Sequence, residues 1–171
     1  AGGGTLFVSG AEIGWDLVER GDGEDQAFFS EVLRGEYLSD DSGVYDFMAP
    51  PGGPFDGLSG SFGNGANGQY DVDYPDELGG ASGSEVCLTY STGLGAATCF
   101  PGQGGSVLFG FPIEAVVEEE VRHELIARSL TYLEVEAPIE PDASVMTDVS
   151  GADASVPQDR PSPQHDLTAT D

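Results

Sequence analysis

Apolar and polar positions alternate between two periods along this chain. Residues 5–9, TLFVS, make an uninterrupted apolar run between glycines, the pattern of a short buried strand. Over Glu12–Arg20 the spacing predicts a short helix with Trp15 and Val18 facing inward and Gly21 closing it. A second helix is expected over Glu24–Arg34, where acidic residues open the first turn and Phe28, Phe29, Val32 and Leu33 share a face. Strands follow at 85–91, 95–100 and 106–111. A long helix from Ile113 to Leu133 then carries Val117, Val121, Leu125, Ile126, Leu130 and Leu133 on one side.

Between Tyr37 and Leu78 the pattern breaks into short pieces rich in Asp, Asn and Gly, read as a decorated excursion or a binding surface. From 135 to 171 the chain turns acidic and proline-containing, the composition of a linker or docking tail. Ile139, Val145, Met146 and Val149 are the residues with which such a tail would dock. The order strand, helix, helix, hairpin, strand, long helix predicts an α/β domain over 1–134: a parallel sheet with a β-hairpin excursion and helices packed on it. Because a core-like strand opens the chain with nothing before it to cover its flank, the domain is expected to be incomplete at its amino end. The missing neighbour would be another domain or a processed chain of the same precursor.

Charge narrows the partners. Thirty-one acidic residues against five basic ones give a formal charge of -26, which opposes binding to a nucleic-acid backbone or an anionic membrane surface. No apolar run has the length of a membrane span. Such acidity fits either a screened, salty medium or binding of a divalent cation. Cys87 and Cys99 flank a glycine-containing turn centred near Gly93. A hairpin there sets them opposite one another at the usual Cα separation of a disulfide, which predicts a cystine and a secreted, extracellular or periplasmic setting. Two free thiols in a reducing compartment are the alternative.

The sequence raises four kinds of chemistry. The turn Gly10-Ala11-Glu12-Ile13-Gly14 follows a strand and precedes a helix, the outline of a nucleophile elbow with a carboxylate at its centre. Glu12 can accept backbone N–H bonds, meet a cation, or act as acid or base if burial raises its pKa. Ser9 lacks a base in the same region, since the histidines are His123 on the long helix and His165 in the tail. No phosphate-binding glycine loop with its lysine is present. The run DVDYPDE offers Asp71, Asp73, Asp76 and Glu77, and DGED offers Asp22, Glu24 and Asp25, as hard oxygen ligands for calcium, without the spacing of an EF-hand.

The stretches GGGTLFVSGAEIGWDL, FFSEVLRGEYLSDDSGVY, YPDEL and SVLFGFPIEAV, in that order, resemble the class I glutamine-amidotransferase-like accessory domain of secreted bacterial peptidases and other multidomain extracellular proteins. The resemblance spans roughly Gly2–Leu133 and implies a flavodoxin-like three-layer fold. Where active members of that family carry an elbow cysteine, this chain has Glu12. Where they carry a His-x-Glu pair, it has Glu114 without the histidine. The resemblance therefore implies a retained scaffold without glutamine hydrolysis.

Three functions remain open from the sequence. The first is a noncatalytic extracellular accessory or protein-interaction domain. The second is carboxylate-based or metal-assisted hydrolysis at Glu12 and Glu114. The third is calcium-dependent recognition of a peptide or carbohydrate by the turn-rich 37–78 segment.

Overall fold

The computed structural model describes residues 4–66, 68–81 and 83–133. Eight strands run in chain order: β1 Leu6–Ser9, β2 Gly35–Ser39, β3 Asp46–Met48, β4 Ser59–Ser61, β5 Glu77–Gly80, β6 Glu85–Tyr90, β7 Gly95–Phe100 and β8 Ser106–Phe109. One sheet takes the order β1-β8-β7-β6-β3-β4, and β2 pairs with β5 in a second, two-stranded sheet. Only β1 and β8 run parallel; every other pair is antiparallel, and the strands curl into a half-barrel.

This corrects the expected parallel, flavodoxin-like three-layer fold. Parallel neighbours need a crossover of about a dozen residues or more, whereas β6, β7 and β8 follow one another through the short turns 91–94 and 101–105. Such turns permit only antiparallel pairing. Gly93, with φ 88°, makes the first of them, a conformation open to glycine at no steric cost. The middle segment contributes short strands instead of a loop. Three-residue strands such as β3 and β4 fall below the length at which alternation is visible, so pairing defines them, β3 with β6 and β4 with β3.

Helices are few and short. The first expected helix is a single π-helical turn, Trp15–Glu19, and the second divides into α1, Gly23–Ala27, and a π-helical turn, Phe28–Val32. The acidic DGED run is spent on capping α1. Asp22 accepts from the N–H groups of Glu24 at 2.8 Å and Asp25 at 3.3 Å, while Asp25 accepts from the Asp22 N–H at 3.0 Å. The long carboxyl-terminal helix is also shorter than its pattern. Ile113–Ala115 form a 3-10 turn, Val116 and Glu118 are extended, and α2 covers Glu119–Tyr132. Extension lets Val116 bridge to Phe62 and the Val117 N–H reach the Ser61 carbonyl at 2.9 Å, contacts that outweigh local helix preference.

The large sheet has a core on each face. Its main core gathers Phe47, Phe55, Phe62, Tyr90, Phe109 and Phe111 with Leu125 of α2 and Leu133 just after it. There Phe111 is stacked on both Phe47 and Phe62 at 4.9 Å. The second core, Phe29, Leu33, Leu78 and Leu108, lies between the sheet and the α1 region. Alternation along β1 and β8 serves both: Phe7, Val107 and Phe109 enter the first, Val8 and Leu108 the second.

Cys87 and Cys99 are bonded, with Cα atoms 5.9 Å apart. Their alignment differs from a simple hairpin, since Cys99 faces Glu85 and register shifts lie between Val86 and Leu88 and between Leu88 and Thr89. The cystine thus closes a bulged ladder, with both residues fully buried. Replacing both cysteines by alanine is expected to lower unfolding stability by about 3 kcal/mol, the entropy of a short closed loop. Urea denaturation of the oxidised chain and of the double variant checks this.

Candidate functional site

The end of β1 and the turn that follows hold the most constrained chemistry in the molecule. Ser9 ends the strand and is engaged on both sides: its hydroxyl donates to the Phe111 carbonyl at 3.0 Å and accepts the Ile113 N–H at 2.6 Å. It staples β1 to the chain leaving β8. Past it, Glu12 adopts a left-handed backbone, φ 59°, and its carbonyl accepts the Asp16 N–H at 2.9 Å. A left-handed non-glycine residue costs about 1–2 kcal/mol. The strand, the strained central residue and the helical turn together reproduce the backbone outline of a nucleophile elbow, with a half-buried carboxylate at its centre.

Asp76 holds this turn from beneath. Its Oδ2 accepts the Gly14 N–H at 2.7 Å, its own N–H donates to the Gly110 carbonyl at 2.8 Å, and its carbonyl accepts the Tyr90 hydroxyl at 2.9 Å. The residue is 0% exposed. Its Oδ1 has no hydrogen-bond partner among the described residues, and the same is true of Asp40 Oδ1. Burial pushes the Asp76 carboxyl up from 3.8 to about 7. The Gly14 and Trp15 N–H groups oppose the rise, and the carboxylates of Asp40 and Glu12 add to it. Tyr37 packs beside Gly14, where an added Cβ would meet both its ring and Asp76. Burial, with the charges of Asp40, Asp76 and Glu19, raises the Tyr37 hydroxyl to about 12.

The other residues singled out from the sequence differ in burial and in partners. Glu114 is exposed, and its Oε1 accepts the Tyr70 hydroxyl at 3.4 Å; Glu12 instead acts on Asp76. Asp71 and Asp73 are exposed, whereas Asp76 and Glu77 are buried. The Asp71 carboxylate raises the pKa of the Tyr45 hydroxyl, while Asp76 accepts the Gly14 N–H. Among the described residues no three His, Cys, Asp or Glu side chains converge to hold a metal ion. His123 stands exposed on α2, 3.8 Å from Glu119; His165 and the tail residues Ile139, Val145, Met146 and Val149 lie outside the described residues. An open groove of about 550 Å³ lies nearby, lined by Val18, Phe29, Glu36, Tyr37 and Ala81 among others, without reaching Glu12 or Asp76.

Sequence reasoning found Glu12 and missed Tyr37 and Asp40. Their only local signal was an acidic pair after a short apolar stretch, GEYLSDD, which is also the composition of an ordinary turn. The second feature of this region is β1 itself, which stands at the edge of the sheet. Leu6 and Gly10 donate to the Gly105 and Phe109 carbonyls, so in a parallel ladder the intervening Phe7 and Ser9 direct their N–H and C=O groups to the opposite side. Among the described residues no strand pairs there.

No protein-family model matches this chain, and no curated protein matches it. Among the described residues no helix is long and apolar enough to cross a membrane.

Two outcomes test the site. Because the Asp76 pKa is higher folded than unfolded, the stability its proton confers is complete below about pH 4 and is lost as pH rises to about 7. Wild-type stability should therefore fall by about 2 kcal/mol between roughly pH 5 and pH 8, and Asp76→Asn, which retains an acceptor for Gly14, should flatten that fall in urea titrations. Glu12→Gly should raise stability by about 0.5–1 kcal/mol, left-handed strain relieved less the glycine entropy cost, read from the same titrations.

Proposed function

We propose that this chain is a noncatalytic protein-interaction domain of an extracellular protein, and that it works by receiving an extended strand on the open edge of β1. The supporting observation is the mismatch between the composition of β1 and its position. Edge strands are normally blunted by charge, proline, a bulge or a covering element. β1 reads LFVS, carries no charge or proline, and pairs with β8 in an unbroken register. Its Leu6 is 38% exposed and its Phe7 and Val8 are half-buried, although one faces each core. A strand added there would satisfy the outward groups of Phe7 and Ser9 and extend both apolar layers.

The buried cystine supports the extracellular setting, since such bonds persist where the medium is oxidising. A second copy of this chain is a poor occupant of the edge, because two molecules of charge -26 repel.

Amide hydrogen exchange tests the reading directly. In the free chain Leu6 and Gly10 should be protected while Phe7 and Ser9 exchange quickly. Adding a soluble, uncharged Val- and Thr-rich peptide of about six residues, the usual strand length, should protect Phe7 and Ser9. Unchanged exchange at saturating peptide would reject strand addition at β1.

A further inference from the structure

Resting on strand addition at β1, we infer that the incoming strand runs parallel to β1 and carries a lysine or arginine at its carboxyl end, where the cation meets Glu12. The direction comes from β1 and β8. Parallel strands buried on both faces read as continuous apolar runs, while half-exposed antiparallel strands alternate. LFVS and SVLF are both continuous, and the two already form the one parallel pair of the sheet. β1 thus has the composition of an interior parallel strand, which lacks only its second neighbour.

The charge requirement comes from the difference between the two ends of this ladder. At the amino end lie Gly4 and Thr5 beside the uncharged Gly104, Gly105 and Ser106; the nearby charge is a cation, Arg34, which follows the Leu33 bonded to Ser106 and lies 4.7 Å over the Phe100 ring. At the carboxyl end lie Glu12, Asp16, Asp40 and Asp76. Arg20, the cation nearest in sequence, is 3.7 Å from Asp16 and stacks over the Trp15 ring at 5.1 Å. Among the described residues Glu12 makes no ion pair. Neighbouring strands lie about 4.8 Å apart, so a long cationic side chain ending an added strand falls within reach of this turn. The carboxyl edge of parallel strands is also where open sheets place polar recognition.

Three peptides sharing one apolar strand of about six residues separate the possibilities: an uncharged form, one with lysine at the amino end and one with lysine at the carboxyl end. Trp15 is the single tryptophan of the chain and lies next to the turn, so its fluorescence reports Kd. The carboxyl-end lysine peptide should bind roughly fivefold tighter than the amino-end form, the upper range for an accessible ion pair. Glu12→Gln should remove that difference while leaving the affinity of the uncharged peptide unchanged. Equal gains for both lysine peptides would show only the general field of an acidic chain and overturn the inference, as would a preference for the amino-end form. A preference that survives in Glu12→Gln would overturn the assignment to Glu12. If the uncharged peptide binds and protects Phe7 and Ser9 but lysine position has no effect, strand addition stands and this inference falls; if none of the three binds, both fall.

Discussion

One buried carboxylate joins three distant segments of this molecule. Asp76 links the Glu12 turn through Gly14, the end of β8 through Gly110 and the end of β6 through Tyr90, all by hydrogen bonds of 2.7–2.9 Å. A charge at this position is costly, and the protein meets the cost by holding the carboxyl close to neutrality rather than by pairing it with a cation. Close approach at Gly14 and Gly110 makes the arrangement possible, since an added Cβ at either would press on Asp76. The strained backbone of Glu12 is sustained by the same framework. Strain of this kind persists only where surrounding contacts over-determine it.

β1 stands at the edge of the large sheet. β6, β7 and β8 form a tightly turned antiparallel unit, closed by the Cys87–Cys99 bond and packed on both faces. β1 is attached to that unit by a single parallel ladder and by the two hydrogen bonds of Ser9. Apolar composition keeps β1 competent for pairing on its second side. The heavy negative charge elsewhere opposes pairing between identical chains.

Local signals were strong where elements are long or tightly turned. The hairpin around Gly93, the strand at 106–109, the opening strand and the apolar ridge of Val121, Leu125 and Leu133 were all legible, as was the pairing of the two cysteines. The strands of the middle segment were not, because two or three residues carry no readable period and β3 and β4 exist through their partners. Helix lengths were overestimated for a related reason: the sequence over Ile113–Glu118 suits a helix, but Phe62 and Ser61 draw it into an extended path. At the site, Glu12 stood out by its glycine frame. Asp76 looked like one member of an acidic run and proved to be separate from Asp71 and Asp73 in burial and partners.

Composition and spacing alone determined the charge, the cystine and the existence of a strand-to-helix turn with glutamate at its centre, since each depends on residues close together in the chain. Tertiary structure decided the direction of the strands, the burial of Asp76 and the place of β1 at the edge of the sheet. Those properties depend on which distant segments meet: 62 residues separate Gly14 from Asp76, and 104 separate Ser9 from Ile113. Hydrophobic periodicity shows that a face must be buried but not against what, so it cannot distinguish a strand flanked on both sides from one that still has a side to offer.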